Sequence, residues 1–470
     1  METLNKKKKF FHMPHTYALI IGFIILAYLL TFVIPSGAYD RVTNPQTGVE
    51  MVDPDTYHKL DVKHLSPFQV ALAIPQGLEQ AGYIIFFIFI IAGAFQIVTA
   101  TGAIEAGIKK LAILLQGKEI LAIVIFTIAF SIGGATIGMS QETVIFIPIA
   151  IMLARSLGYD AMVGFAIVSL GAQVGFHSGW LNPFTVAVAQ DIAELPLFSA
   201  IGMRFVFWIV YLIATIWFIM RYARKVKKDP SKSIVYQLEL DESDQKLDLS
   251  DTHKMTKTQV IVLLTVLAAM VFLIVGISIW GWYITEMSAL FLVMGIVVGF
   301  IGRLKTGEIC DQFIEGARSV VFGSLLVGVA QAIVVIFNDA QVIDTIVYYL
   351  SNAVMHLPSS ISVLGMFVVQ VIISFFINSG SGQAMVIMPI MVPMADVLEI
   401  TRQTAVMAFQ FGDGITNAIF PTSPVLMSVL SVAKIGYDKY LKFFLPLFGI
   451  WIAIAVVFLI ICQAIHIGPF

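Results

Sequence analysis

Apolar residues in this chain fall in long blocks broken by short polar stretches, with little alternation at a strand period. A helix needs roughly 20 apolar residues to cross a bilayer. Blocks near that length lie at 17–35, 82–99, 205–220, 260–275, 287–301 and 443–461. Two longer blocks, 120–157 and 361–398, are interrupted near the middle by polar, Gly-rich runs. The first run is Gly133-Gly134-Ala135-Thr136-Ile137-Gly138-Met139-Ser140-Gln141-Glu142-Thr143, and the second is Asn378-Ser379-Gly380-Ser381-Gly382-Gln383. Each long block reads as two apolar arms meeting at a small polar tip, the pattern of a re-entrant helical hairpin. Broken backbone of that kind is tolerated at membrane depth only when it is buried in protein or lines a wet cavity. The alternative is two ordinary spans joined by a loop.

Charge separates these readings. Lys6, Lys7, Lys8 and Lys9 precede the first block, and no small-residue cleavage site follows it, so the block is expected to stay as a helix with a cytoplasmic amino terminus. The polar segment 36–66 is then outside. Arg221, Arg224, Lys225, Lys227 and Lys228 open the longest polar stretch, and the remaining clusters are Arg303 with Lys305 and Lys434 with Lys439 and Lys442. All of them can be cytoplasmic only if 120–157 and 361–398 enter the membrane and return to the same side.

With Ser140 laid over Ser381, one constant offset brings Pro148 onto Pro389, Ala154 onto Ala395, Gly171 onto Gly412 and Pro183 onto Pro424. Prolines and glycines set backbone geometry, so their register argues for an internal repeat. In this topology the two hairpins open from opposite sides. The expected architecture is an all-α polytopic membrane protein, an inverted structural repeat with two re-entrant hairpins and two broken transmembrane helices. The first repeat covers 1–222, with its hairpin at 120–157 and its broken helix at 160–192. A cytoplasmic linker covers 223–257. The second repeat covers 258–470, with its hairpin at 361–398 and its broken helix at 402–434. The breaks are Gly175-Phe176-His177-Ser178-Gly179-Trp180-Leu181-Asn182-Pro183 and Gly412-Asp413-Gly414-Ile415-Thr416-Asn417, continuing to Pro421-Thr422-Ser423-Pro424.

Composition confirms the solvent. The 470 residues are 59% hydrophobic and 12% charged, with a mean hydropathy of +0.91, whereas a soluble domain carries about 25% charged residues. The net charge of −2 offers no basic surface for nucleic acid. Cys310 and Cys462 suggest neither a disulfide framework nor a metal cluster. The motifs G-x-x-x-x-G-K-[ST], H-E-x-x-H and G-x-S-x-G are absent, which argues against ATP-driven transport by this chain and against the corresponding hydrolases.

Candidate chemistry collects at the four breaks. Glu142 and Asp413 are intramembrane carboxylates, which are expensive and usually functional. They suit a substrate ammonium or guanidinium, a coupling proton or sodium ion, or a bland role capping broken helices. Ser140, Thr143, Ser178, Asn182, Asn378, Ser379, Ser381, Gln383, Asn417, Thr422 and Ser423 supply hydroxyls and amides. Such groups coordinate sodium or hydrogen-bond a carboxylate, and any single one also serves as packing glue. Sodium is placed near Ser140, Ser381 and Asp413, with no metal site assigned. His177 lies in a break and is either titratable at the site or structural. Glu105 and Asp344 read as polar faces of interfacial helices, and Arg155 with Asp160 as a hairpin end. No Lys or Arg occurs within the breaks, which disfavours a dicarboxylate held by fixed cations.

These motifs resemble the YfcC family. The resemblance is carried by Gly138-Met139-Ser140-Gln141-Glu142, Gly158-Tyr159-Asp160, Trp180-Leu181-Asn182-Pro183-Phe184, Ser379-Gly380-Ser381-Gly382-Gln383-Ala384, Phe409-Gln410-Phe411-Gly412-Asp413-Gly414 and Pro421-Thr422-Ser423. Val33-Ile34-Pro35-Ser36-Gly37 and Glu315-Gly316-Ala317-Arg318 fit as well, so the match spans nearly the whole chain. The family is classed with anaerobic C4-dicarboxylate carriers and includes arginine/ornithine antiporters. The resemblance implies a secondary antiporter of basic amino acids in the bacterial inner membrane, a homodimer in which a transport domain moves elevator-fashion against a scaffold. No cofactor is implied beyond sodium or proton coupling. Ser140-Gln141-Glu142 stands where the family often has Gly-Glu-Glu, and Pro424 stands where it has a small residue. Neutral amino acids and small peptides therefore stay open as substrates, and the runner-up is a sodium-coupled C4-dicarboxylate carrier.

Overall fold

The computed structural model describes residues 16–43, 50–61, 65–114, 117–241, 255–280, 282 and 284–468. The basic run Lys6, Lys7, Lys8 and Lys9 and residues 242–254 of the expected linker lie outside the described residues. The chain is built almost wholly of α-helices. The first half holds α1 (Thr16–Leu30), α2 (Pro67–Gln80), α3 (Gly82–Ala100), α4 (Ala103–Leu114), α5 (Glu119–Ile137), α6 (Thr143–Ser156), α7 (Ala161–Ser178), α8 (Val188–Ile192), α9 (Ile201–Lys228) and α10 (Tyr236–Asp241). The second half holds α11 (Lys257–Trp280), α12 (Ile284–Ile301), α13 (Thr306–Ser319), α14 (Val321–Asp339), α15 (Ile343–Met355) and α16 (Ser359–Ile373), followed by α17 (Gly380–Val397), α18 (Arg402–Thr416), α19 (Pro424–Val432) and α20 (Tyr437–Ala464). A wide π-type turn at Pro183–Ala187 leads into α8.

The all-α expectation needs one correction. In the polar segment, β1 (Gly37–Ala38) pairs with β4 (His58–Lys59), and β2 (Arg41–Thr43) pairs with β3 (Glu50–Val52), both antiparallel. This segment is anchored to the second half. Asp344 accepts from the Tyr39 amide at 3.0 Å and pairs with Arg41 at 3.0 Å. Tyr57 stacks on Tyr348 with centroids 4.0 Å apart.

Among the described residues, α3, α5, α7, α9, α12 and α20 are long and apolar enough to cross a membrane, and the bent pair α13–α14 makes a seventh span if counted as one. Ile213, Trp217, Val293, Phe300 and Val457 on three of these helices are exposed, as lipid-facing side chains are. Helix α7 is the opposite case, buried along almost its whole length. Its small residues allow that. A Cβ on Gly175 would lie 1.9 Å from the Ser131 carbonyl oxygen, and one on Gly134 would lie 2.0 Å from that of Ala172, so α5 and α7 touch backbone to backbone.

The predicted blocks fall on helix pairs, α5 with α6 and α16 with α17. Helices α6 and α17 end at Ser156 and Val397, α7 and α18 begin at Ala161 and Arg402, and the post-break helical turns begin at Pro183 and Pro424. Each pair keeps the spacing of Ser140 and Ser381.

Charged residues hold the ends of these pairs. Arg155 forms a salt bridge to Glu239 at 3.0 Å, and Glu239 also accepts from the Ala161 amide at 2.9 Å. Asp160 N-caps α7 by accepting from the Val163 amide, and it takes hydrogen bonds of 2.6 Å from both Tyr222 and Ser233. At the other pair, Arg402 joins Asp396 at 2.9 Å and Glu194 at 2.8 Å. Burial pushes the Asp160 carboxyl above its ordinary value despite the three donors. A carboxyl raised in the folded state makes its contribution below the unfolded value near 3.9 and loses it as pH rises through the folded value. Asp160→Asn keeps an N-cap side chain. The variant is expected to lose this component of the pH dependence of thermal stability, measured on detergent-solubilised protein between about pH 4 and 7. An unchanged slope would show that Asp160 does not carry it.

Candidate functional site

Both breaks form for the reasons their residues suggest. Helix α5 stops at Gly138, which adopts a left-handed φ of 65°. Glu142 folds back so that its Oε2 accepts from the Ser140 amide at 2.9 Å, and Thr143 donates to the Ser140 carbonyl at 2.5 Å. The opposite tip closes with Ser379 capping α17 through the Gly382 amide. After α7, Asn182 accepts from the Phe184 and Thr185 amides, with Pro183 in the first position of the new turn. Ser423 caps α19 in the same way, with Pro424 first.

The tips and breaks meet. Leu181 of the first break donates to the Ala135 carbonyl of α5 at 3.0 Å. Asn378 of the second tip donates to Thr422 of the second break at 2.5 Å. A Cβ on Gly380 would press on Thr185 at 2.6 Å and lie 3.2 Å from Asp413 Oδ2, so this tip reaches both breaks.

Between them lies a cavity of about 190 Å³. Of the residues expected from sequence, Ser140, Glu142, Thr143, Asn378, Ser379, Ser381, Asn417 and Ser423 line it. His177, Ser178, Asn182, Gln383, Asp413 and Thr422 are absent from its wall. His177 is packed against Tyr211 and Trp451, with ring centroids 4.5 and 4.6 Å away. Ser178 donates to the Val174 carbonyl, and Gln383 donates to Gln370 at 2.7 Å. Asp413 lies behind the wall, fully buried. Its Oδ1 accepts from Asn417 at 3.1 Å, while Oδ2 has no hydrogen-bond partner among the described residues.

The wall also includes Gln141, Ser169, Gln173, Phe176 and Phe184, with Tyr83 from α3 and Trp282 from the α11–α12 connection. Gln173 donates to the Gly414 carbonyl of α18. Its sequence signal was a lone amide in an apolar helix, one turn before a break. Tyr83 and Trp282 carried no such signal, because only packing brings them here.

Electrostatically the cavity is mixed. Among the described residues, Glu142 is its one acidic lining residue, and no Lys or Arg lines it. First-turn residues of α6, α17 and α19 form part of the wall, and helix amino termini carry a positive partial charge. Arg204 of α9 is the basic group the sequence reading did not place. It is buried, it donates to Gln410, and Gln410 donates to the Gly179 carbonyl at 3.0 Å. A guanidinium thus reaches the first break through one amide.

A multi-pass helical membrane protein whose polar cavity lies between helix breaks belongs to the class of membrane transporters. Comparison with known proteins gives the family: residues 13–464 match the model described as C4-dicarboxylate anaerobic carrier, DcuC, and the chain belongs to this family. It is 34% identical to the Escherichia coli protein named "Putative basic amino acid antiporter YfcC", over 95% of this chain and 96% of that one. It is 28% identical to a Haemophilus influenzae protein named only as uncharacterized, over 98% of this chain and 99% of that one. Among solved structures, the Alcanivorax borkumensis YdaH transporter aligns over 97% of this chain and 100% of that one, at 16% identity and a TM-score of 0.42. The chain is a multi-pass transporter of the bacterial inner membrane.

Proposed function

We propose that this protein is a secondary antiporter of basic amino acids, arginine and ornithine among them, working by elevator-type alternating access. The observation that carries the reading is the cavity wall: among the described residues it holds a carboxylate at Glu142, no Lys or Arg, and three helix amino termini. A zwitterion with a cationic side chain matches this set. Its carboxylate is drawn to the helix amino termini and its cationic end to Glu142. The relative YfcC bears a basic amino acid antiporter name, which supports the same substrate class.

In this reading α5–α6 and α16–α17 are re-entrant hairpins of an inverted repeat, and they travel with the broken helices α7 and α18. The helices outside the hairpins form the scaffold and the homodimer contact. Asp413 holds the coupling cation. Asp413 Oδ2, Asn378 Oδ1 and Thr185 Oγ1 are buried without hydrogen-bond partners among the described residues, a set of oxygens that suits sodium or a proton.

The helix amino termini also favour a second reading, a sodium-coupled C4-dicarboxylate carrier, in keeping with the family description. Liposomes preloaded with unlabelled arginine and assayed for labelled-arginine uptake separate the two. Saturable uptake that needs internal substrate and ignores succinate is expected. Sodium-dependent succinate uptake without arginine uptake would overturn the first reading in favour of the second.

A further inference from the structure

A second cavity, of about 180 Å³, runs between α5 and α6 and shares no lining residue with the polar one. At one end the rings of Phe130 and Phe146 meet edge to face, 5.1 Å apart, and at the other stands Tyr159. Phe126, Ala150 and Ile167 of α7 also line it, and among the described residues no charged side chain does. Phe126, Phe130, Phe146 and Ala150 are half-buried, and the neighbouring Leu121 and Ile125 of α5 are exposed. The slot therefore opens toward the bilayer. Apolar cavities of about 150 Å³ stay dry and take apolar guests, so water does not suit this one.

The other helix pair is packed differently. With the offset that lays Ser140 over Ser381, Ala150 meets Met391 and Leu153 meets Met394. Both methionines are buried. Helix α17 thus carries long, adaptable side chains where α6 carries shorter ones.

The end of the slot at Tyr159 is basic. Lys227 of α9 lies 5.3 Å over the Tyr159 ring and pairs with Glu119 at 3.0 Å. That pair is neutral as a whole. Arg224 and Lys228 share one face of α9 at helical spacing, are exposed, and have no carboxylate partner among the described residues. Burial raises the Tyr159 phenol above its ordinary value, Glu119 adds to the rise and Arg224 opposes it, which puts the guanidinium beside the same ring.

We propose that this slot is a phospholipid site: one acyl chain of an anionic phospholipid lies between α5 and α6, and Arg224, with Lys227 and Lys228 beside it, holds the phosphate. The two parts of the ligand answer separate observations. An apolar slot open to the bilayer calls for a chain, and unpaired cations at its end call for an anionic headgroup. Basic clusters lie on the cytoplasmic side, where basic pockets between helices recruit anionic lipids. The chain takes the place that Met391 and Met394 fill in the other pair, and the headgroup ties α5–α6 to α9. The inference is independent of which substrate the polar cavity takes.

The test uses the purified full-length protein in phosphatidylcholine vesicles. They contain a little phosphatidylglycerol with a photoactivatable diazirine on one acyl chain, and labelled peptides are located by mass spectrometry. Label is expected to concentrate around Phe126 and Ala150, and to be displaced by unlabelled phosphatidylglycerol but not by added phosphatidylcholine. Val293 of α12 and Val457 of α20 are exposed, and label there reports ordinary lipid contact as the reference. Ala150→Met gives α6 the residue that α17 has. It is expected to cut the slot label about tenfold, the equivalent of about two buried methylenes, with the reference unchanged. Ala150→Leu serves if the methionine variant does not fold. Arg224→Gln is expected to abolish the preference for phosphatidylglycerol. Slot label no denser than the reference overturns the proposal, as it would if a second copy of the chain covered this face. So does full slot label in the Ala150 variants. Displacement by phosphatidylcholine as readily as by phosphatidylglycerol overturns it too, because the slot would then select no headgroup.

Discussion

Asp413→Asn is expected to abolish counter-exchange of arginine while leaving a folded protein. Asparagine has the shape of aspartate, and the side chain is fully buried with its Oδ1 accepting from Asn417, so packing changes little. What disappears is a negative charge in a medium where charges are poorly screened. If Asp413 pairs with the coupling cation as proposed, removing one partner of a buried charge pair costs about 3 kcal/mol, which is a loss on the order of 100-fold in rate. Glu142→Gln is expected to act in the same direction at the cavity wall, since Glu142 is the acidic group there. Initial rates of exchange in liposomes, set beside elution profile and thermal midpoint, separate lost function from lost fold. Normal exchange in both variants would remove these residues from the mechanism.

Gly175→Val is expected to have the largest effect on folding. The added Cβ would fall 1.9 Å from the Ser131 carbonyl oxygen and 2.5 Å from the Ala135 amide nitrogen. Both are backbone atoms of α5, so no side chain can swing aside, and the two helices must separate along a contact that also supports the polar tip between α5 and α6. Overpacking against backbone costs about 3 kcal/mol or more, enough to remove much of a domain's net stability of about 5–15 kcal/mol. Gly134→Val attacks the same seam from the other helix, at 2.0 Å from the Ala172 carbonyl oxygen. Gly449 in α20 has nothing within 4 Å of a Cβ, so Gly449→Ala should be neutral or slightly stabilising. The yield of monodisperse protein after extraction is the measurement. Wild-type yield from Gly175→Val would mean that the α5–α7 contact is looser than described.

The elements that could be read in the chain are those that local chemistry dictates. Glycine at 138, proline at 183 and 424, and Asn182 and Ser423 as N-caps place the breaks within a residue or two, because each acts on its own backbone. The helix pairs α5–α6 and α16–α17 were legible from block length. The amphipathic helices α2 and α13, which carry several polar residues, were not, since neither forms an apolar block. The cavity was legible only in part. Hydroxyls and amides at the tips announced themselves, whereas Tyr83, Trp282 and Gln173 line the wall because distant helices pack there. Asp413 and Asn417 are neighbours in sequence by one helical turn, yet one is behind the wall and the other in it, a distinction that periodicity does not carry. Arg204 shows the same limit: the breaks themselves hold no Lys or Arg, and tertiary packing supplies a guanidinium through Gln410.

That guanidinium has an electrical consequence. Arginine keeps its proton in proteins, and Arg204 is buried in a long apolar helix, tied through Gln410 to the turn at Gly179. In the proposed elevator movement Arg204 stays with the scaffold on α9, a fixed positive charge that the travelling α18 moves past, and each elementary charge carried across the whole transmembrane field is worth about 2.3 kcal/mol per 100 mV. Under that reading the membrane voltage acts on the travelling Asp413 and Glu142 carboxylates as well as on the cargo.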